Sequence, residues 1–154
     1  MQPNTGDFYL GRQPILDRAE NLHAFELLFR GGPDNRADIV DGVAATAQVI
    51  QYAFGELGAD VALGVFRGFI NIDASLLMND VLELLPHQLV TLELLETIEI
   101  TPSVVARCKE LKQAGFKLAL DDVREISAPY HPMLEIVDYL KVDIKLVPPT
   151  ELAE

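Results

Sequence analysis

The segment TPSVVARCKELKQAGFKLALDD, residues 101–122, contains a helix start, a helix end and a strand in direct succession. Thr101 offers a capping hydroxyl, and Pro102 suits the first helical position, where its missing N–H is not needed. Apolar residues then recur at steps of three and four until Gly115, which favours a helix end. The run Lys117–Leu120 predicts a strand that leads into Asp121-Asp122. The segment therefore predicts a helix followed by a strand with an acidic end, as in parallel α/β sheets.

The same pattern continues on both sides of this segment. Short apolar runs predict strands, and stretches with helical spacing lie between them. The chain opens with two apolar runs around the polar, turn-like residues 17–21, which predicts an N-terminal β-hairpin. The other predicted strands and helical segments complete the set: strands Phe8–Ile15, Leu22–Phe29, Phe69–Ile72, Leu89–Leu94 and Tyr139–Val142, and helical segments Ile39–Leu57, Ser75–Leu85 and Pro132–Val137.

Alternation of strands and helices after the hairpin predicts the α/β class, with a parallel sheet and helices outside it. We predict a TIM-barrel-like fold that is incomplete. A closed (β/α)₈ barrel takes about 250 residues, whereas this chain has 154. An open sheet, a fragment of a larger barrel, and two chains that complete each other are the alternatives. The predicted domain covers residues 8–147, with an N-terminal tail at 1–7 and a C-terminal tail at 148–154.

The composition narrows the classes of function. A formal net charge of −12 disfavours a nucleic-acid groove lined by Lys and Arg. No apolar run approaches the roughly 18 residues of a membrane span, and the N-terminus lacks the pattern of a signal peptide. The single cysteine, Cys108, excludes an internal disulfide and is interpreted as a structural thiol. We therefore expect a cytoplasmic protein that does not bind nucleic acid.

Polar residues cluster where the predicted strands end. In a parallel α/β barrel these ends meet on one face, where sites form. Oxygen ligands from several strands suit Mg²⁺ or Mn²⁺, which can activate water and hold a phosphodiester. Any one of these acids alone more often caps a helix or faces solvent, so the prediction depends on the whole set. The set comprises Glu26, Asn71, Glu93, Asp121, Asp122, Lys141 and Asp143.

The order of these motifs resembles the EAL family of cyclic-di-GMP phosphodiesterases. Any one motif is weakly specific, whereas six in this order are strongly specific. The set spans Phe8 to Asp143. The matching segments are Gln13-Pro14-Ile15, Glu26-Leu27-Leu28-Phe29-Arg30 with Leu27 in place of the signature alanine, Asn71, Leu92-Glu93-Leu94-Leu95-Glu96, Asp121-Asp122 and Leu140-Lys141-Val142-Asp143.

The resemblance implies a fold, a reaction and a role for each matching residue. The implied fold is a TIM-like barrel, and the implied reaction is metal-dependent cleavage of cyclic-di-GMP to linear pGpG. The guanidinium fork of an arginine suits the oxygens of the nucleotide phosphate. The implied roles are metal ligands at Glu26, Asn71, Glu93, Asp121 and Asp122, a catalytic lysine at Lys141, ligand contacts at Gln13 and Arg30, and a loop-stabilising carboxylate at Glu96.

The sequence also departs from the family pattern in two places. Residues 121–126 read Asp-Asp-Val-Arg-Glu-Ile, where the family has the glycine-rich Asp-Asp-Phe-Gly-x-Gly. Branched and charged residues do not readily adopt glycine conformations. The later Glu-Gly-Val-Glu and Gln-Gly segments of the family do not occur before Glu154. The amino-acid sequences of the matching segments resemble those of a divergent subgroup of EAL domains, which is found ahead of an HDOD domain in bacterial signalling proteins.

These departures lead to the functional hypothesis of a degenerate EAL-like bacterial signalling module. On this hypothesis the chain acts by contact with a protein partner, as a homo-oligomer, or by sensing cyclic-di-GMP, and turnover is not predicted for it. The alternative is an active cyclic-di-GMP phosphodiesterase, with Mg²⁺ or Mn²⁺ as cofactor, when a longer chain or a partner completes the site. A TIM-barrel fragment without a signalling role remains a third possibility.

Overall fold

The computed structural model describes residues 8–31, 50, 54–55, 58–124 and 128–145. These residues belong to two compact units, Met1–Ile70 and Asn71–Glu154. The predicted helix Ile39–Leu57 and both predicted tails lie almost entirely outside the described residues, so those predictions remain untested.

The first unit begins with the predicted hairpin. Strand β1 (Phe8–Leu16) pairs antiparallel with β2 (Leu22–Gly31). The turn between them is held by the Asp17 carboxylate, which accepts hydrogen bonds from the backbone N–H of Ala19 at 2.8 Å and of Asn21 at 2.9 Å. This local bonding is typical of Asp in turns. The N-terminal hairpin is therefore confirmed.

A short helix and a parallel strand complete the described part of the first unit. Helix α1 (Ala59–Leu63) precedes β3 (Arg67–Ile72), and β3 pairs parallel with β2 from Ala24↔Arg67 to Leu27↔Ile70. Gly68 permits this packing, because a Cβ there would lie 3.0 Å from a methyl group of Leu63 and 3.1 Å from one of Leu27. Close approach of this kind is a common reason for glycine in a strand.

The second unit continues with parallel strands. The backbone N–H of Leu95 donates to the carbonyl of Ile72, the last residue of β3, at 3.2 Å. Strand β4 (Val90–Leu94) pairs parallel with β5 (Lys117–Val123), and β5 pairs parallel with β6 (Tyr139–Val142). Between them lie α3 (Pro102–Gln113), a 3₁₀ turn at Ala128–Tyr130, and α4 (His131–Leu134).

Helix α3 follows the local signals of its sequence. The hydroxyl of Thr101 accepts from the N–H of Val104 at 3.3 Å, and Gly115 at the far end has φ 97°. This left-handed backbone disfavours any residue with a side chain at position 115. A Cβ there would also lie 2.8 Å from the imidazole of His87. Val104, Cys108 and Leu111 are buried along one face of the helix. Burial raises the pKa of the Cys108 thiol to about 11, which fits the structural role predicted for it.

The prediction of one helix over Ser75–Leu85 is wrong. The segment folds as α2 (Ala74–Leu77) and a separate 3₁₀ helix (Asp80–Leu84). Asn79 causes the break, because its backbone is extended and its side chain accepts from the N–H of Val81 at 2.9 Å. The asparagine thus starts a new helical turn instead of continuing the old one.

Other boundaries also differ from the predictions, by one or two residues at the ends of β1 to β4 and by more at β5 and α4. Strand β5 continues to Val123, three residues beyond the predicted end at Leu120, and α4 makes a single turn from His131. No helix within the described ranges has the length and apolar character needed to cross a membrane.

Candidate functional site

Alternate residues of β4, β5 and β6 form a polar face in the second unit. In the register of these strands Glu93 lies beside Ala119, and Ala119 lies beside Tyr139. Side chains two residues apart share a face of a strand. Asp121 and Lys141 therefore follow Ala119 and Tyr139 on the face that carries Glu93. The intervening residues are apolar, and Leu92, Leu118 and Leu120 are buried.

Lys141 joins two carboxylates on this face. Its ammonium contacts Oε1 of Glu93 and lies 3.1 Å from Oδ1 of Asp121. The Glu93 side chain is fully buried, the Asp121 side chain is 13% exposed, and the Lys141 side chain is 33% exposed. The lysine of β6 reaches Glu93 of β4 across β5, where Ala119 presents only a methyl group. We call Lys141, Glu93 and Asp121 the Lys141 cluster.

A β-bulge shapes the end of β5 beside this cluster. Leu120 pairs with Leu140 and Val123 with Val142, so both Asp121 and Asp122 lie opposite Lys141. Two residues against one is the definition of a bulge, and in some bulges a residue adopts a left-handed backbone. Asp122 does so, with φ 46°. The predicted acidic pair therefore projects from a distorted strand end, and not from a regular one.

Glu96, Asp121 and Asp122 form an acidic trio after β4 and at the end of β5. One carboxylate oxygen from each lies within 4.8 Å of the others. The neighbouring charge of Asp121, together with burial and the charges of Asp143 and Glu96, raises the pKa of Asp122 above its usual range, although Lys141 opposes the shift. Repulsion of this kind is relieved when a cation binds, and three hard oxygens suit a divalent ion such as Mg²⁺ or Mn²⁺.

The structure places the remaining predicted residues as follows. Asn71 is the penultimate residue of β3 and is half-buried. In the hairpin, exposed Gln13 pairs directly with half-buried Glu26. Arg30 lies four residues beyond Glu26 on β2, opposite Tyr9. The first unit thus brings Gln13 and Glu26 together, and the second unit brings Glu93, Glu96, Asp121, Asp122 and Lys141 together.

The sequence analysis missed residues that support the polar face. Lys117 lies two positions before Ala119 on β5, and its ammonium donates to the hydroxyl of Tyr139 at 3.4 Å while lying 5.6 Å from the centre of that ring. Fully buried Thr91 precedes Glu93 on the same face of β4. Strict alternation from Glu93, Asp121 and Lys141 backwards along each strand was the signal that could have found them.

Solved structures share this arrangement of elements. The chain matches the EAL enzyme Bd1971 in its form bound to cAMP and cyclic-di-GMP with a TM-score of 0.66 and 18% identity, covering 91% of this chain and 46% of that one. For the cyclic-di-GMP complex of the PaMucR phosphodiesterase the TM-score is 0.68 at 16% identity, with 88% and 69% covered. The chain has the EAL-domain fold. The predicted TIM-barrel-like α/β class and the EAL resemblance are therefore confirmed.

A third structure with the EAL-domain fold contains both a metal and a nucleotide. The Bacillus subtilis protein YkuI, with an EAL domain in complex with substrate cyclic-di-GMP and calcium, matches with a TM-score of 0.65 and 22% identity over 92% of this chain and 42% of that one. Together the three structures establish the EAL-domain fold of the chain.

Two curated sequences are more similar to this chain. The uncharacterized protein YuxH of Bacillus subtilis is 38% identical over 140 residues, which cover 88% of this chain and 34% of YuxH. The cyclic di-GMP phosphodiesterase CdgJ of Vibrio cholerae is 34% identical over 137 residues, covering 88% of this chain and 32% of CdgJ. The chain thus spans about a third of the length of these relatives. No protein-family model matches it.

Proposed function

We propose that this EAL domain is a bacterial cyclic-di-GMP signalling module that binds a divalent cation and the nucleotide and acts as a sensor. The observation that supports it most is the convergence of Glu93, Asp121 and Lys141 at neighbouring strand ends of an EAL-domain fold. The names of CdgJ and of the YkuI, Bd1971 and PaMucR structures all refer to the same nucleotide, which favours it as the ligand.

The donor set of the second unit fits a hard cation. Glu96, Asp121 and Asp122 offer carboxylate oxygens within 4.8 Å of one another, and Glu93 adds a buried carboxylate beside Asp121. Asn71 is a further proposed ligand in the same unit, and Glu26 is proposed as a metal ligand in the first unit. A bound Mg²⁺ or Mn²⁺ supplies charge that polarises a phosphodiester and lowers the pKa of a bound water. Glu96 is thereby proposed to help bind metal as well as to stabilise the loop after β5.

The nucleotide contacts are proposed for the hairpin. Gln13 is exposed and pairs with Glu26, so its amide lies beside a proposed metal ligand. Arg30 follows on the same strand and supplies the planar, charged donor that phosphate oxygens favour. Lys141 is proposed to neutralise phosphate charge once its carboxylates are occupied by metal.

Two features bear on the choice between sensing and turnover. The backbone of Asp122 is left-handed, and Val123 and Arg124 follow it where the family has a glycine-rich loop. Without metal, the ammonium of Lys141 is engaged with two carboxylates, so it becomes available to a water or a phosphate only when a cation replaces it. A sensor needs only to bind the nucleotide, and binding without complementarity to the transition state does not accelerate hydrolysis.

The second candidate is a metal-dependent phosphodiesterase that cleaves cyclic-di-GMP to pGpG. It is favoured by the similarity to CdgJ and by the short distances within a set of four retained carboxylates, those of Glu93, Glu96, Asp121 and Asp122. The two candidates share the site and differ only in turnover.

The proposed partners include a second protein or a second copy of the chain, in the cytoplasm. In the part of the chain that the structure describes, β6 pairs only with β5. Leu140, Val142 and Ile144 are exposed along and just after β6. Strand edges and exposed apolar residues of this kind favour association.

One experiment separates these functions. Full-length protein is titrated with cyclic-di-GMP by calorimetry in Ca²⁺, and turnover in Mg²⁺ or Mn²⁺ is followed by chromatography of pGpG. Asp121→Asn should weaken binding at least tenfold, since it removes a ligand of the proposed metal, whereas Glu99→Gln at an exposed position should not. Binding without pGpG supports the sensor, and pGpG formation supports the phosphodiesterase. Absence of both binding and turnover contradicts the proposed function.

A further inference from the structure

We propose that Lys141 is an internal counter-ion that competes with the divalent cation for Glu93 and Asp121, so that metal binding releases its ammonium. This inference rests on the metal site of the proposed function. It adds a mechanism by which the metal-free and metal-bound forms of one chain differ in the position and availability of a charged group.

The two buried carboxylates need a compensating positive charge. Glu93 is fully buried and Asp121 nearly so. A buried carboxylate is costly unless a cation or hydrogen-bond donors compensate it. The ammonium of Lys141, at Oε1 of Glu93 and 3.1 Å from Oδ1 of Asp121, supplies that compensation in the metal-free protein.

Competition follows from the shared oxygens. A divalent ion held by Glu93 and Asp121 takes the lone pairs that now accept from the ammonium, and two cations at such a distance repel each other strongly. Lys141 and the metal are therefore alternative occupants of the same carboxylates. The side chain of Lys141 is 33% exposed and has a flexible four-carbon stem, so the ammonium can leave toward solvent.

Lys112 provides a matched control within the same unit. Its ammonium lies 2.6 Å from Oδ2 of Asp138, and its side chain is 31% exposed, as for Lys141. The Asp138 carboxylate also accepts from the N–H of Leu118 at 2.9 Å. Lys112 therefore makes a lysine–carboxylate pair of similar exposure, away from the polar face.

The test compares Lys141→Met with Lys112→Met in full-length protein. Mn²⁺ affinity is measured by calorimetry, and the melting temperature is measured in chelator and in Mn²⁺. We expect Lys141→Met to melt about 5 °C lower in chelator and to bind Mn²⁺ at least about tenfold more tightly, equivalent to 1.4 kcal/mol. Lys112→Met should also melt lower but should keep the Mn²⁺ affinity of the wild type.

Each other outcome has a definite meaning. Equal or weaker Mn²⁺ affinity of Lys141→Met overturns the competition and leaves the proposed function standing. Absence of Mn²⁺ binding by the wild-type protein overturns both, and is visible without any variant.

A second measurement keeps the inference testable if Lys141→Met does not fold. The ammonium groups of wild-type protein are observed by ¹⁵N–¹H correlation spectroscopy during titration with diamagnetic Mg²⁺. We expect the Lys141 signal to shift or to exchange away as Mg²⁺ saturates the site, while the Lys112 signal stays unchanged. A Lys141 signal that persists unchanged at saturation contradicts release of the ammonium.

Discussion

Two of the clusters of charged side chains that the structure describes in the second unit are built in opposite ways. Arg107 on α3 is the buried partner in the first, with its side chain 10% exposed, while Asp80, Glu83 and Glu110 are 94%, 55% and 64% exposed. We call these four residues the Arg107 cluster. In the Lys141 cluster the carboxylates are buried and the cation is the accessible partner.

The hydrogen bonds of Arg107 explain its structural role. Its guanidinium donates to the carbonyl of Leu77 at 3.1 Å and to that of Asn79 at 3.4 Å, which ties α3 to the break between α2 and the 3₁₀ helix. Burial opposes its charge, but hydrogen bonds and charge from Glu83 and Glu110 raise the pKa of Arg107 on balance. A buried cation with solvated anions cannot be exchanged, whereas buried anions with an accessible cation can accept another cation.

The largest effect is expected for Glu93→Gln. It keeps the shape of the side chain and removes the buried charge, so Mn²⁺ affinity should fall about 100-fold, as measured by calorimetry. The metal-free protein should lose less stability than Lys141→Met does, because a buried amide without a partner costs less than a buried carboxylate without a counter-ion.

Glu83→Gln is the matched control for this comparison, since Glu83 also pairs with a cation but is largely exposed. It should leave Mn²⁺ affinity unchanged. Similar losses of affinity in both variants would remove the distinction between the two clusters.

The next largest effect is expected for Arg107→Met. It should lower the free energy of unfolding by about 2–3 kcal/mol in urea titrations, because two backbone carbonyls lose a charged donor. Mn²⁺ affinity should remain that of the wild type. Lys109→Met, at an exposed position of the same helix, serves as the control and should change stability by less than about 0.5 kcal/mol.

A smaller effect is expected for Asp122→Gly. Glycine adopts the left-handed backbone at φ 46° without strain, so stability should rise by about 0.5–1 kcal/mol. Asp122→Ala removes the same charge but not the strain, and it should not reproduce the whole gain. Both variants should weaken Mn²⁺ binding, because both remove one carboxylate of the acidic trio.

Asp122 also predicts a dependence on pH. Its pKa in the folded protein is raised, chiefly by Asp121, so folding disfavours its ionised form. The wild type should therefore gain stability relative to Asp122→Asn as the pH falls through the raised pKa. Urea titrations at a series of pH values check the sign, and a relative loss of stability in that range would contradict it.

The smallest effect is expected for Asp138→Asn. Burial opposes ionisation of Asp138, but the hydrogen bonds from Lys112 and from the N–H of Leu118 lower its pKa on balance. Its contribution to stability, below about 1 kcal/mol, is therefore present above the usual carboxyl range and lost as the pH falls through the lowered pKa. The stability difference between wild type and Asp138→Asn should shrink toward acid pH, and a difference that grows would contradict the prediction.

Local sequence signals were enough to predict most of the described fold. The ends of α3 could be predicted from Thr101, Pro102 and Gly115, because capping and a left-handed backbone depend on only a few neighbouring residues. The acids at the strand ends were likewise predicted one by one. Asn79 was missed as a helix break, because its side chain could equally have faced solvent within one longer helix.

The contacts within the site could not be predicted in the same way. The contact between Lys141 and Glu93 depends on the relative register of β4, β5 and β6. It also depends on the small size of Ala119, which lies between the two side chains on β5. That Asp121 and Asp122 share one position opposite Lys141 depends on a bulge without a distinctive sequence. Register and bulges are set by long-range packing, so single-segment reasoning does not determine them.

The bulge at the end of β5 makes the site sensitive to the number of residues as well as to their identity. A regular strand would present one of two successive aspartates to this face and turn the other away. The extra residue brings a second carboxylate to the same strand end. In genetic terms, an in-frame deletion of the single codon for Asp122 would do more than remove one acid: it would restore an unbroken ladder in which Asp121 alone lies opposite Lys141 and Val123 stays opposite Val142. Insertions and deletions in this codon pair are therefore a direct route by which relatives could gain or lose the acidic trio without changing any other ligand.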